Sequence, residues 1–98
     1  MTINKTQEGK NLTLALEGRL DTMTAPELEA ELNASLKDAD ALELDFSKLE
    51  YISSAGLRVL LSAHKAMSSK EGMKVTNVNE IVREVFEVTG FADILTIE

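Results

Sequence analysis

The sequence predicts an α/β domain built on a mixed, mostly parallel sheet, and three observations carry that prediction. Leu12, Leu14 and Leu16, then Leu42, Leu44 and Phe46, alternate with other residues at the period of a half-buried strand. These segments are interleaved with others whose apolar residues recur at helical spacing, the pattern of parallel crossover units. Thr13, Glu17, Glu43 and Asp45 stand between or beside the apolar residues, whereas strands buried on both faces read as unbroken apolar runs. A sheet of four or five strands with about three helices largely on one face follows, its other face open to solvent. The 98 residues suit one domain, taken as 1–98.

The elements follow in order. A weak strand around Ile3–Gln7, a turn at Glu8-Gly9-Lys10-Asn11 and the strand of Leu12–Leu16 form an opening hairpin. Thr24-Ala25-Pro26-Glu27 reads as a helix start, with Thr24 as cap, Pro26 in the first turn and Glu27 closing a capping box. Leu28, Leu32 and Leu36 then recur every four residues, to about Lys37. After the strand of Leu42–Phe46, Leu57, Leu60, Leu61, His64 and Met67 share a second helical face, which Glu71-Gly72 ends. Met73–Val78 reads as a strand. Asn79 caps a third helix that turns Ile81, Val82, Val85 and Phe86 inward, and Gly90 takes the left-handed C-terminal position. Ile94–Ile97 closes the sheet. Right-handed crossovers place the connections Asp21–Met23 and Ser47–Ser54 at the carboxyl edge, where open α/β sheets carry their binding sites.

Composition narrows the function. There is no cysteine, so neither disulfides nor thiolate metal sites are available, and the lone His64 argues against a zinc centre. No metal or cofactor is expected. The formal charge of −7 disfavours nucleic acid and anionic membrane surfaces as partners. No apolar run approaches the ~18 residues of a membrane span and no basic-then-apolar leader opens the chain, so a cytoplasmic location is expected. Asn4-Lys5-Thr6, Asn11-Leu12-Thr13 and Asn33-Ala34-Ser35 have the form of glycosylation triplets and, without a leader, are read as chance.

The segment Tyr51-Ile52-Ser53-Ser54-Ala55-Gly56-Leu57 is the most informative. Ser53 or Ser54 serving only as a helix cap, with Gly56 allowing close packing, is the plainest reading. It leaves the second serine without a role. A nucleophilic serine fails on distance: His64 lies ten residues along the same helix, about 15 Å up its axis. A phosphate-cradling loop fails on sequence, because Ala55-Gly56 offers one glycine and no Gly-x-x-x-x-Gly-Lys-Ser/Thr run exists.

Gly18-Arg19-Leu20-Asp21, Asp45-Phe46-Ser47, Tyr51-Ile52-Ser53-Ser54-Ala55-Gly56-Leu57 and Val85-Phe86-Glu87-Val88-Thr89-Gly90-Phe91, in this order, resemble the STAS family of sulfate-transporter and anti-sigma-factor-antagonist domains. The resemblance runs nearly end to end and is greatest to the bacterial antagonists. It implies a non-enzymatic binding module. Its partner would be an anti-sigma factor that is also a serine kinase, with a phosphatase reversing the modification. The unmodified antagonist binds the anti-sigma factor and frees a sigma factor, and phosphorylation ends the grip. The motif assigns the phosphorylated residue to Ser54, with Ser53 as the alternative. Phosphorylated members often carry aspartate where this chain has Ser53, and Ser or Thr where it has Ala55. The other role the resemblance offers is a non-phosphorylated subunit of a transport or sensory complex, in which Ser54 only caps.

On that resemblance Asp21, Thr22, Ser53, Ser54, Gly56 and Arg58 are expected to border the partner surface. Asp21 has an alternative in an Asx-turn within its own loop, and Arg58 in simple solvation.

Overall fold

A computed structural model describes residues 1–98. Strands β1 (Thr2–Glu8) and β2 (Asn11–Leu20) form an antiparallel hairpin. The chain continues through α1 (Ala25–Ser35), β3 (Ala41–Ile52), α2 (Ser54–Met67), β4 (Gly72–Thr76), α3 (Glu80–Thr89) and β5 (Thr96–Ile97). Strands β2 to β5 run parallel and lie side by side in chain order. Each crossover therefore steps in the same direction, and right-handedness places all three helices on one face. The expected architecture is the observed one.

The registers explain the alternation seen in the sequence. Leu12 sits beside Leu42 and Met73, and Leu14 beside Leu44 and Val75. All six are buried and form the floor on which the helices pack. Val82 and Phe86 of α3 and Leu57, Leu60 and Met67 of α2 close the core from above, the Phe46 and Phe86 rings lying 6.4 Å apart. Thr13, Glu43, Lys74 and Thr96 line the opposite face in a polar row. There Lys74 Nζ stands 3.9 Å from Glu43 and 3.7 Å from Glu98, and the Thr76 hydroxyl donates to Glu43 at 2.9 Å.

Several boundaries differ from the sequence reading, each for a local reason. Residues 47–52 were expected in a connection, yet they continue β3. Two irregularities in the β2–β3 register give β3 an extra residue each time, between Asp45 and Lys48 and between Leu49 and Tyr51. Inward positions therefore fall at Phe46, Leu49 and Ile52 instead of every second residue, which erases the period-2 signal. Strand β4 ends at Thr76 because Asn77 adopts a left-handed conformation, φ 58°. Phe91–Asp93 forms a 3₁₀ turn, so β5 is only Thr96–Ile97. Ile81, expected inside, is 61% exposed, because α3 turns Val82 and Phe86 to the core and leaves its outer flank to solvent.

Caps show one expectation met and one overturned. The Asn79 side chain accepts the Val82 N–H at 2.8 Å, and Gly90 closes α3 at φ 84°. Thr24 stands at the N-cap of α1 but makes no side-chain cap bond, so the capping box with Glu27 does not form. Its hydroxyl is already occupied by the preceding loop, as described below.

Two lysines fasten the helical layer. Lys5 Nζ donates to the Ser35 hydroxyl at 3.0 Å, and that hydroxyl donates to Glu31 at 2.6 Å, tying β1 to α1. Lys70 Nζ donates to the carbonyls of Leu36 and Ala39, both at 2.7 Å, closing the 3₁₀ turn Leu36–Asp38 that ends α1. Lys70→Ala should lower stability by about 1 kcal/mol, since charge-assisted bonds to chain-end carbonyls are lost at a partly solvated site. Urea unfolding checks this, with an unchanged midpoint ruling the anchor out.

Candidate functional site

The carboxyl ends of β2 and β3 converge at Leu20 and Ile52, which are register partners. The Ser53 N–H donates to the Leu20 carbonyl at 2.9 Å, so the two connections leave the sheet together. The first is held by Asp21. Its Oδ1 accepts the N–H groups of Met23 at 3.0 Å and Thr24 at 3.1 Å, an Asx-turn. The Thr24 hydroxyl accepts the Asp21 N–H at 2.8 Å and donates to the Arg19 carbonyl at 2.8 Å. These bonds take Thr24 away from capping α1. Asp21 Oδ2 also lies 3.8 Å from Arg19 Nε, and the Arg19 guanidinium sits over the Tyr51 ring, 4.5 Å from its centre.

Partial desolvation pushes the Asp21 carboxyl upward. The backbone bonds from Thr24 and Met23, the Thr24 hydroxyl and the Arg19 charge together outweigh it, so the group ionises below its ordinary value. The loop is thus clamped by a carboxylate that stays charged at neutral pH. Thr22 and Met23 project from it, Met23 at 84% exposure. Sequence reasoning missed Met23, because a lone apolar residue in a loop carries no period.

The second connection is nearly absent, since α2 starts two residues after β3 ends. Ser53 occupies the N-cap in extended conformation without making a side-chain cap bond; its hydroxyl is buried and has no partner. Ser54, the first helical residue, is exposed. Gly56 lies beneath the surface: a Cβ there would stand 2.7 Å from Leu20 Cγ and 2.9 Å from Ile52 Cγ1. The absent side chain lets the first turn of α2 rest directly on the strand ends.

Arg58, on the next turn, is exposed and has no ion-pair partner. It lines a shallow groove of about 220 Å³ between the starts of α1 and α2, shared with Thr22, Ala25, Pro26, Glu29, Ala55 and Val59. Of the expected residues, Thr22 and Arg58 line this groove, and Ser54 stands exposed one turn before Arg58 at the start of α2, completing a rim. Asp21 braces it, the Ser53 hydroxyl is sealed within it and Gly56 supports it. A larger cavity of about 540 Å³ opens at the other end of the strands, around Ala41, Gly72 and Lys74. It contains none of these residues.

Asp45, on the open face, has its carboxyl lowered chiefly by the Asn77 side-chain amide at 2.9 Å and next by the Ser47 N–H at 3.0 Å, against a smaller opposing effect of burial. A carboxyl lowered in the folded state contributes stability that is present above the unfolded value, about 3.9, and is lost as pH falls through the folded value. Asp45→Asn should therefore cost about 1 kcal/mol at pH 7, with the gap from wild type closing below about pH 4. Urea unfolding across pH tests it; a gap constant with pH removes the assignment.

The edge thus presents a bare serine hydroxyl at a helix start, and comparison with known proteins gives it a context. The family model described as "Mlab, STAS domain" matches residues 3–96. The chain belongs to the STAS domain family. This STAS domain is 40% identical over 88 residues to BtrV of Bordetella bronchiseptica, described as a candidate anti-sigma factor antagonist, covering 88% of this chain and 76% of that one. A crystal structure of an anti-sigma factor antagonist from Mycobacterium paratuberculosis superposes with a TM-score of 0.89 at 25% identity, over 98% of this chain and 83% of the other. The antagonist SpoIIAA in its unphosphorylated form shares the STAS fold, with a TM-score of 0.85 at 17% identity over 99% of this chain and 88% of that one. No helix of this STAS domain is long and apolar enough to cross a membrane.

Proposed function

We propose that this STAS domain is an anti-sigma factor antagonist. In its unmodified form it docks an anti-sigma factor through the rim of Thr22, Met23, Ser54 and Arg58, and phosphorylation of Ser54 by that partner's serine kinase activity releases it. Similarity to BtrV, described as a candidate antagonist, and to the anti-sigma-B factor antagonist of Listeria monocytogenes, 26% identical over 96 residues, supports the class of function. SpoIIAA, an antagonist of the same fold, has been solved in a phosphorylated form as well as an unphosphorylated one. The observation that carries the choice of residue is the contrast between neighbours. Ser54 is exposed at the first position of α2, while the Ser53 hydroxyl is buried.

The chemistry asked of this chain is small. The Ser54 Oγ attacks the γ-phosphorus of ATP, its O–P bond forms as the bond to the β-phosphate oxygen breaks, ADP departs, and the hydroxyl proton goes to a base of the kinase. The adjoining Ala55 is small and only partly buried, which leaves room for the nucleotide to approach. A phosphatase would return the hydroxyl by hydrolysis.

The product carries about −1.5 to −2 charges. The start of α2 has no side-chain cap, so its free N–H groups and dipole favour the phosphate by roughly 0.3–1 kcal/mol, and the fold tolerates it. At a desolvated interface the same charge costs several kcal/mol. The larger effect decides, and binding is lost while the fold remains.

Incubation with ATP and a cognate anti-sigma kinase, followed by intact-mass measurement, tests this. One phosphoryl group should be gained, with none gained by Ser54→Ala. Gain at Ser53 instead would move the site, and no gain would favour a constitutive subunit of a larger assembly.

A further inference from the structure

We propose that Arg58 is the internal counter-charge of this switch: once Ser54 carries phosphate, the Arg58 guanidinium pairs with it along α2 and keeps it dianionic. The inference rests on the phosphorylation reading above.

Ser54 and Arg58 are four residues apart on one helix, and both are exposed. That spacing brings side chains onto one face with Cβ atoms about 6 Å apart, and it is most favourable when the acid precedes the base. The planar guanidinium fork matches two phosphate oxygens, a geometry an ammonium cannot reproduce. Availability is the decisive point. Arg19, the other arginine near this edge, is committed to Asp21 and to the Tyr51 ring. Arg58 has no ion pair; Glu29, the one carboxylate lining its groove, lies beyond ion-pairing distance. The charged groups on the elements that meet at this edge are Arg58 from α2, Glu29 from α1, which shares its groove, and Asp21 with Arg19 from the end of β2. The two carboxylates oppose ionisation of a phosphate, and Asp21 is already engaged by Thr24 and Met23.

Two consequences follow for the switch. An ordinary phosphoserine, with its second pKa near 6, is about one quarter monoanion at pH 6.5, and a lowering of about half a unit reduces this to about a tenth. The released state then keeps its full charge through small excursions of cellular pH. Modification also draws the free guanidinium away from the groove, so one event adds negative charge to the rim and removes positive charge from it.

The test installs phosphoserine at position 54 of the full chain by genetic encoding, independently of any kinase, and follows its phosphorus NMR shift against pH. The second pKa should lie below that of a free phosphoserine peptide and rise by about 0.3–0.7 unit in Arg58→Gln, the difference shrinking in high salt. Arg58→Lys, which keeps the charge but loses the fork, should fall between. Circular dichroism confirms that each variant is folded. Equal values in wild type and Arg58→Gln would overturn the proposal. If phosphoserine-54 protein instead binds an anti-sigma factor as tightly as the unmodified chain while the NMR difference persists, the antagonist reading fails and the pairing stands.

Discussion

Ser54→Asp should weaken binding to an anti-sigma factor by about a hundredfold or more while leaving the unfolding midpoint close to wild type. A hundredfold corresponds to about 2.7 kcal/mol, within the several kcal/mol that desolvating a charged group at an interface can cost. The fold is spared because Ser54 is exposed and begins a helix whose first N–H groups lack a side-chain acceptor, a place where a carboxylate is mildly favourable. Ser54→Ala separates charge from contact: it should bind as the unmodified protein does. Calorimetric titration of the three proteins decides the matter, and equal affinity of wild type and Ser54→Asp would sink the switch.

Gly56→Ala should destabilise the domain by about 1–2 kcal/mol, although alanine is the better helix former. Removing a helical glycine returns at most about 1 kcal/mol. Against this, the added methyl would meet Leu20 Cγ at 2.7 Å and Ile52 Cγ1 at 2.9 Å, atoms near the root of side chains that are themselves buried. Relief requires α2 to lift or both side chains to leave their wells, and overpacking of this kind costs about 1–3 kcal/mol. For a domain of this size the melting temperature should fall by about 5–10 °C. An unchanged or raised melting temperature would show that the strand ends yield easily. Because Gly56 sits two residues past Ser54, the substitution should also slow phosphorylation by displacing the hydroxyl from its seat.

The sheet and its polar face were legible because Leu12–Leu16 and Leu42–Phe46 alternate without interruption. The third helix was legible from its ends, Asn79 and Gly90, where one residue type answers one backbone need. Legibility failed where two demands met on one residue. Thr24 has the sequence of a cap, but its hydroxyl is taken by Asp21 and Arg19, partners on the far side of a turn that no spacing rule reveals. The strand of residues 47–52 was hidden by its irregular register. At the site, Ser54 and Arg58 were visible as residue types at a helix start. That the Ser53 hydroxyl is enclosed while its neighbour is bare depends on the direction of one side chain, which sequence does not encode legibly.

The length mismatch between β3 and β4 has a consequence of its own. Past Asp45, the side of β3 away from β2 has no neighbouring strand, and such a margin invites recruitment by a stray polypeptide. Asn79 guards it: while its oxygen holds Val82, its amide nitrogen donates to the Leu49 carbonyl at 2.9 Å. The extra residues wrench the backbone out of the flat path an intruder would need. The strand that leads to Ser54 is thereby protected against being seized permanently by another chain, while the helix start beside it stays open.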